Sequence, residues 1–377
     1  MPASRYIFGS LPWYSVLVVS GICAAILWAM HEEKRMHLPK DTVVDLALWL
    51  IPCGVIGARL YYVFFAWDTF ASNPLSIFAI WNGGLAIYGG IIGGVLAAIC
   101  FSKKKHISLL SLLDMVAPGV LLAQAIGRWG NFFNMEAYGL EITNEACQFF
   151  PLAVLIPENG TYVWHMATFF YESLWNFLGF LFLAFTRKKA RRSGDILCGY
   201  LVIYGGGRLI IEGLRLDSLM TSGGTARISQ LLSVCLCLIV CALFALRAIG
   251  RKPRLPQWIS GIATAACVLV AWLMLPVPHA AFTGYEMVFA VSSIGIAAVS
   301  IMLAMKQDGT VFRRIRSLLP LIPVVFSLIM RRYLALFAIE QWANDVVLCI
   351  LLTITLLTGT GCFYLIANRS AADRTGD

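Results

Sequence analysis

The chain has 377 residues, of which 59% are hydrophobic and 13% charged, and its formal net charge is +9. A soluble domain has about a quarter of its residues charged, so this composition excludes soluble domains, a disordered chain, a secreted disulfide scaffold and a nucleic-acid binder. It predicts an all-α polytopic membrane protein.

A bilayer core of about 30 Å takes about 20 mainly apolar residues as a helix. Such stretches run over 11–30, 43–67, 85–101, 109–127, 168–185, 196–213, 227–247, 258–275, 285–305, 317–330 and 346–366, which makes eleven spans. The tenth is the shortest and carries Pro320 and Pro323. The first is read as a span, not a cleaved signal, because only Arg5 precedes it while Lys34 and Arg35 follow it.

Lys and Arg in short loops set orientation. They concentrate in alternate loops: 31–42, 102–108, 186–195, 247–257, 306–316 and the tail. Those segments hold 21 of the 29 basic residues, including every lysine, so the N-terminus is expected outside and the C-terminus inside. The 11 cysteines include no CxxC pair and the five histidines are scattered, so neither a metal site nor a cofactor is expected.

Charges inside a span cost about 2.5–3.5 kcal/mol each on insertion scales and call for a reason. Arg59, Asp114, Glu172, Arg208 and Glu212 are of this kind, and Arg128 sits at the outer end of span four. Span six carries Tyr204, Arg208, Glu212 and Arg215 at spacings that put them on one helix face. That face suits either a ligand site or an Arg208–Glu212 bridge that only pins helices. The loop after span four, Gly127-Arg128-Trp129-Gly130-Asn131-Phe132-Phe133-Asn134-Met135-Glu136-Ala137-Tyr138-Gly139, mixes an Arg fork and amides with interfacial aromatics. It suits either a phosphate or a re-entrant interfacial loop. The glycines of the segment Trp81 to Gly94 form small-xxx-small pairs that let helices pack closely, with Tyr88 near its outer end. Arg59, Tyr88, Arg128, Asn131, Asn134, Glu136, Arg208 and Glu212 all fall at or just below the expected outer surface. Several cations at that depth imply an anionic substrate residing there, such as a phospholipid headgroup.

Together these segments resemble the prolipoprotein diacylglyceryl transferase family. The stretch from Gly127 to Gly139 is similar to its GRxGNFxNxExxG signature. Gly57-Ala58-Arg59-Leu60, Trp81 to Gly94, Tyr171-Glu172, and Tyr204 through Arg208 and Glu212 to Arg215 fall in the family's order around it, with Trp13-Tyr14 and Ser229-Gln230 at the ends. The resemblance covers roughly 9–247 and implies a seven-helix core with an outside N-terminus, in the membrane of a bacterial cell. It implies an enzyme that moves diacylglycerol from phosphatidylglycerol to the lipobox cysteine of a prolipoprotein signal peptide and releases glycerol 1-phosphate. Arg128 and Arg208 would stabilise the leaving phosphate, and Asn131 and Asn134 would orient the headgroup. Glu212 would hold Arg208 and accept the thiol proton, Glu136 would hold Arg128, and Gly139, Tyr14, Arg59 and Tyr204 would complete the lipid site. Two departures stand out. Tyr88 replaces the family's histidine, so a histidine base there is excluded and a phenol donor is expected. No proline precedes Tyr171-Glu172, and the shifted His165 is given no role.

The expected division is a transferase-like core over 1–247 and a four-span extension over 248–377 without a chemical motif. A chain ending near Arg254 is expected to insert and retain some activity, with lower stability. The competing readings are a transporter or channel for an anionic solute or lipid, and a non-catalytic scaffold. Against a carrier stand the lack of an inverted repeat and the confinement of polar groups to the outer half.

Overall fold

The structure is a computed structural model, and it describes residues 4–158, 160–190, 192–215, 227–249, 284–306, 318–325 and 341–372. Nine long helices dominate them: α1 (Trp13–Arg35), α2 (Thr42–Phe65), α3 (Ile87–Lys105), α4 (Leu109–Asn134), α5 (Thr168–Thr186), α6 (Asp195–Leu214), α7 (Ile228–Ile249), α8 (Gly284–Lys306) and α9 (Gln341–Ala372). In hydrocarbon every backbone N–H and C=O must be satisfied within the segment, which makes the helix the natural spanning form. Among the described residues, α1 to α7 and Val346–Asn368 within α9 are long and apolar enough to cross a membrane, so the protein is a mainly helical, polytopic membrane protein. The ninth expected span corresponds to α8, whose apolar stretch is Val291–Leu303. The eighth, 258–275, lies outside the described residues, and of the tenth only 318–325 is described.

The chain divides into two compact units. One comprises Ser15–Gly127 and Phe180–Leu197. Its core gathers Ala29, Val43, Leu46, Phe101, Leu112 and Met115. Helices α2 and α3 meet through glycines. A Cβ on Gly57 would strike the Gly89 carbonyl, and one on Gly93 would strike that of Cys53. The small-residue pattern of this segment is thus used for close packing. Near the C-terminal end of α1, buried Glu32 bridges Arg35 and Arg187, each at 2.6 Å. The embedded carboxylate Asp114 caps the start of α6, accepting from the backbone N–H groups of Gly194 at 2.6 Å and Leu197 at 2.8 Å. It satisfies donors that a helix N-terminus otherwise leaves open.

The other unit comprises Met1–Tyr14, Arg128–Gly179 and Cys198–Asp377. Its main core joins α6 and α7 to α8 and α9 through Leu209, Val234, Cys237, Phe289, Leu352 and Leu356. Two short antiparallel hairpins lie outside the helices. One pairs β1 (Tyr6–Ile7) with β2 (Leu11–Pro12), and the other pairs β3 (Ala153–Glu158) with β4 (Thr161–Met166). Val154 and Ile156 of β3 pack with Ala167 and Phe169, against Trp129 and Phe132 of α4. At 1.5 Å per residue, α4 is about 39 Å long. That exceeds the roughly 30 Å thickness of a bilayer's hydrocarbon core.

Candidate active site

The signature segment begins on the last turns of α4 and then bends sharply. Met135 and Ala137 adopt left-handed backbone angles, with φ of 54° and 57°. Such angles in residues with a side chain are uncommon and collect at functional sites. The bend turns Glu136 back so that its Oε1 accepts from the amides of Asn131 at 2.9 Å and Asn134 at 3.2 Å. These bonds fix both amide orientations.

Beyond the bend the backbone is tied on several sides. Gly139 N–H donates to Met166 O at 3.0 Å, Leu140 N–H to Leu214 O at 3.0 Å, and Thr168 Oγ1 to Ala137 O at 2.6 Å. Only glycine fits at 139, because a Cβ would lie 2.7 Å from Thr168 Cγ2 and 2.9 Å from Leu214 O. His165 adds a further tie. Its Nδ1 lies 2.9 Å from Gly139 O, its Nε2 3.3 Å from Glu158 Oε1, and the Tyr138 ring packs on it. The histidine given no role from the sequence therefore braces the signature loop. The N-terminal segment packs on the same stretch: Arg5 donates to Asn134 O at 2.6 Å, Trp13 stacks on Phe133, and the Tyr14 ring occupies the space that a Cβ on Gly130 would need.

The charged groups form a ladder of alternating sign. Arg128 Nη2 is 2.7 Å from Glu172 Oε1. Glu172 Oε2 faces Arg208 Nη1 at 3.6 Å, an ion pair too long for a hydrogen bond. Arg208 Nη2 is 2.7 Å from Glu212 Oε2, which Arg215 also approaches at 3.9 Å. The Glu172 and Glu212 side chains are 4% and 2% exposed, whereas Arg128 and Arg208 keep 21% and 16%. The acids are sealed in, and the arginine side chains keep more exposure, with Arg208 Nη1 itself buried. Tyr204, one turn before Arg208, meets the Arg128 guanidinium.

Two expectations are corrected here. Glu136 does not hold Arg128. The turn at Met135 directs it to the asparagines, and Glu172 of α5 takes its place. Arg59 belongs to the first unit, and its five N–H donors are spent on the carbonyls of Ile77, Gly83, Gly84, Ser76 and Ala79, at 2.7–3.4 Å. It lies over the Phe70 ring and is 6% exposed. A guanidinium with every donor engaged has none left for a phosphate, so Arg59 serves the loop rather than a headgroup. Tyr88, also in the first unit, is 37% exposed beside Tyr61.

The ladder can do specific chemistry. Three cations against two anions leave one positive charge in excess, in a setting where charges interact strongly. A phosphate monoester or diester is the ligand that such a surplus and such forked donors suit.

Comparison with known proteins agrees. A family profile described as prolipoprotein diacylglyceryl transferase matches residues 4–246. Among similar proteins, one from Enterococcus faecalis is 46% identical over 249 residues, covering 64% of this chain and 88% of its own length. One from Shouchella clausii is 43% identical over 249 residues, covering 64% and 87%. One from Listeria welshimeri is 44% identical over 248 residues, covering 65% and 88%. All three are named phosphatidylglycerol–prolipoprotein diacylglyceryl transferase. The matched region takes in the signature loop and every member of the charge ladder, and the chain belongs to the prolipoprotein diacylglyceryl transferase family.

Proposed function

We propose that the protein transfers the diacylglyceryl group of phosphatidylglycerol to the thiol of a prolipoprotein's lipobox cysteine. The sulfur attacks the glyceryl carbon next to the phosphate. A C–S bond forms, the C–O bond to phosphate breaks, and its electron pair leaves with glycerol 1-phosphate. Free cysteine ionises near pH 8.5, so modest assistance suffices. In this scheme the thiol proton passes to Glu212.

The observation that carries this reading is the ladder Arg128–Glu172–Arg208–Glu212. Glu212 locks one arm of Arg208, and the other arm makes no hydrogen bond within the ladder. That arm and Arg128 are the groups assigned to the developing phosphate charge, which fixed donors stabilise without reorganising. Asn131 and Asn134 are assigned to the headgroup, with Gly139, Tyr14 and Tyr204 lining it. Tyr88 is assigned a hydrogen bond to the lipid phosphate on the strength of its sequence segment alone. The fuller topology belongs to this proposal too: eleven spans in a bacterial plasma membrane, N-terminus outside and C-terminus inside, with the core over 1–247 and the extension over 248–377.

The test incubates purified protein with phosphatidylglycerol vesicles and a peptide carrying a lipobox cysteine. A thioether-linked diacylglyceryl peptide and glycerol 1-phosphate are expected in equal amounts. Folded protein that yields neither product rejects the proposal. Movement of phosphatidylglycerol or a soluble anion without product would instead favour a transporter.

A further inference from the structure

We infer that the C-terminal extension, through α9, sets the position of Arg208, which makes Thr353 a positioning residue for the transfer reaction. This inference rests on the function proposed above. It concerns a part of the chain beyond the family match, which ends at residue 246.

Gly205, Gly206 and Gly207 immediately precede Arg208 on α6, and successive residues of a helix point about 100° apart. Each faces a different neighbour. A Cβ on Gly205 would lie 2.9 Å from Cys237 Sγ of α7, and one on Gly206 would lie 2.8 Å from Thr353 Cγ2 of α9. One on Gly207 would collide with the Trp175 indole of α5. Three helices therefore close on α6 within one turn, and Arg208 takes the direction that remains.

Two hydrogen bonds fix this turn. Thr353 Oγ1 donates to Gly206 O at 3.2 Å, and Gln230 Nε2 of α7 donates to Leu209 O at 2.8 Å. The bonded carbonyls thus flank Arg208 in sequence. Gln230 also reaches Cys349 Sγ at 3.7 Å, which links α7 to α9 at the same level. Further along α6, a Cβ on Gly213 would meet Val346 Cγ2 at 3.5 Å. Gly213 thus faces Val346 as Gly206 faces Thr353, so α9 runs antiparallel to α6 alongside the segment that carries Arg208 and Glu212. Thr353 itself is buried, 2% exposed. On this reading a chain ending near Arg254 loses one of the three walls that orient Arg208, and the activity expected of it from motif positions alone is lost.

The test uses the full-length chain. Gly206→Ala forces α6 and α9 apart, or rotates α6, by a fraction of an ångström to about 1 Å. Misplacement on that scale should lower kcat about 10- to 100-fold, with a much smaller change in KM for phosphatidylglycerol. Thr353→Ser removes the methyl that the new Cβ would meet and keeps the hydroxyl, so the double variant should recover to within about threefold of wild type. Thr353→Val keeps the shape and removes the bond. It should lower kcat while the thermal midpoint in detergent stays near that of wild type. Normal kcat in both Gly206→Ala and Thr353→Val overturns the inference. So does a Gly206→Ala loss that Thr353→Ser fails to relieve, or a kcat that merely follows the folded fraction. Absence of transfer by the wild-type chain would reject the proposed function instead.

Discussion

Glu172 and Arg128 meet at 2.7 Å, one from the start of α5 and the other from near the C-terminal end of α4, with the carboxylate almost wholly buried. Because Glu172 also faces Arg208, it is the group that allows two guanidinium ions to stand near each other.

Removing that charge should therefore be costly. Glu172→Gln keeps the shape of the side chain but leaves two partly buried cations without their shared anion. Breaking a buried pair from one side costs about 3–5 kcal/mol, and part of that will be relieved by the exposure of the arginines. A lower thermal midpoint and loss of most transfer activity are expected. Wild-type rates in this variant would remove Glu172 from the site.

Arg208 grips with a planar fork. Lysine keeps the charge but offers one compact ammonium on a different stem, and cannot hold Glu212 while presenting a second pair of donors. Arg208→Lys should lose most of its turnover in the lipobox-peptide assay. Near-normal turnover would show that charge alone is needed, or that Arg208 only pins Glu212.

Tyr88 has a narrower assignment. As a donor to a phosphate oxygen it should contribute one hydrogen bond to a charged group, about 1.5–3 kcal/mol or roughly 10- to 100-fold in rate. Tyr88→Phe should show that loss, and Tyr88→His should recover much of it because imidazole can also donate. Equal rates for wild type and Tyr88→Phe would remove the residue from the lipid site.

Orientation can be tested by labelling. Thr161 opens β4 and Ser193 lies in the basic segment before α6, and both are exposed. In a cysteine-depleted chain of intact cells, Thr161→Cys should react with an impermeant maleimide, while Ser193→Cys should react only after permeabilisation. The opposite pattern would invert the proposed topology.

The helices and several charged partners were legible in the sequence for different reasons. Hydropathy locates α1 to α7 because lipid imposes one length and one composition on every span. The Arg208–Glu212 pair was legible because both residues sit on one helix face, four positions apart. Glu172 was visible as an embedded charge, but its partners come from other helices, and local spacing does not encode them. The β3–β4 hairpin went unread because two six-residue strands give too short a pattern beside an aromatic-rich loop. His165 was set aside for lack of a matching motif, yet its contact with Gly139 depends on the register of that hairpin. Arg59 was misassigned for a related reason. Its place within a helix was legible, but the carbonyls that absorb its donors lie 17–25 residues further along the chain.

Those carbonyls have a practical consequence for reading mutational scans. A single side chain supplies donors to five carbonyls within residues 76–84, beside the segment's own backbone bonds. Lysine has three donors and no fork, so it cannot replace the five directed bonds. Intolerance to every substitution at Arg59 would look like the signature of a catalytic group. Its cause would be architectural, and lipid titrations of partially active variants should show affinity unchanged per folded molecule.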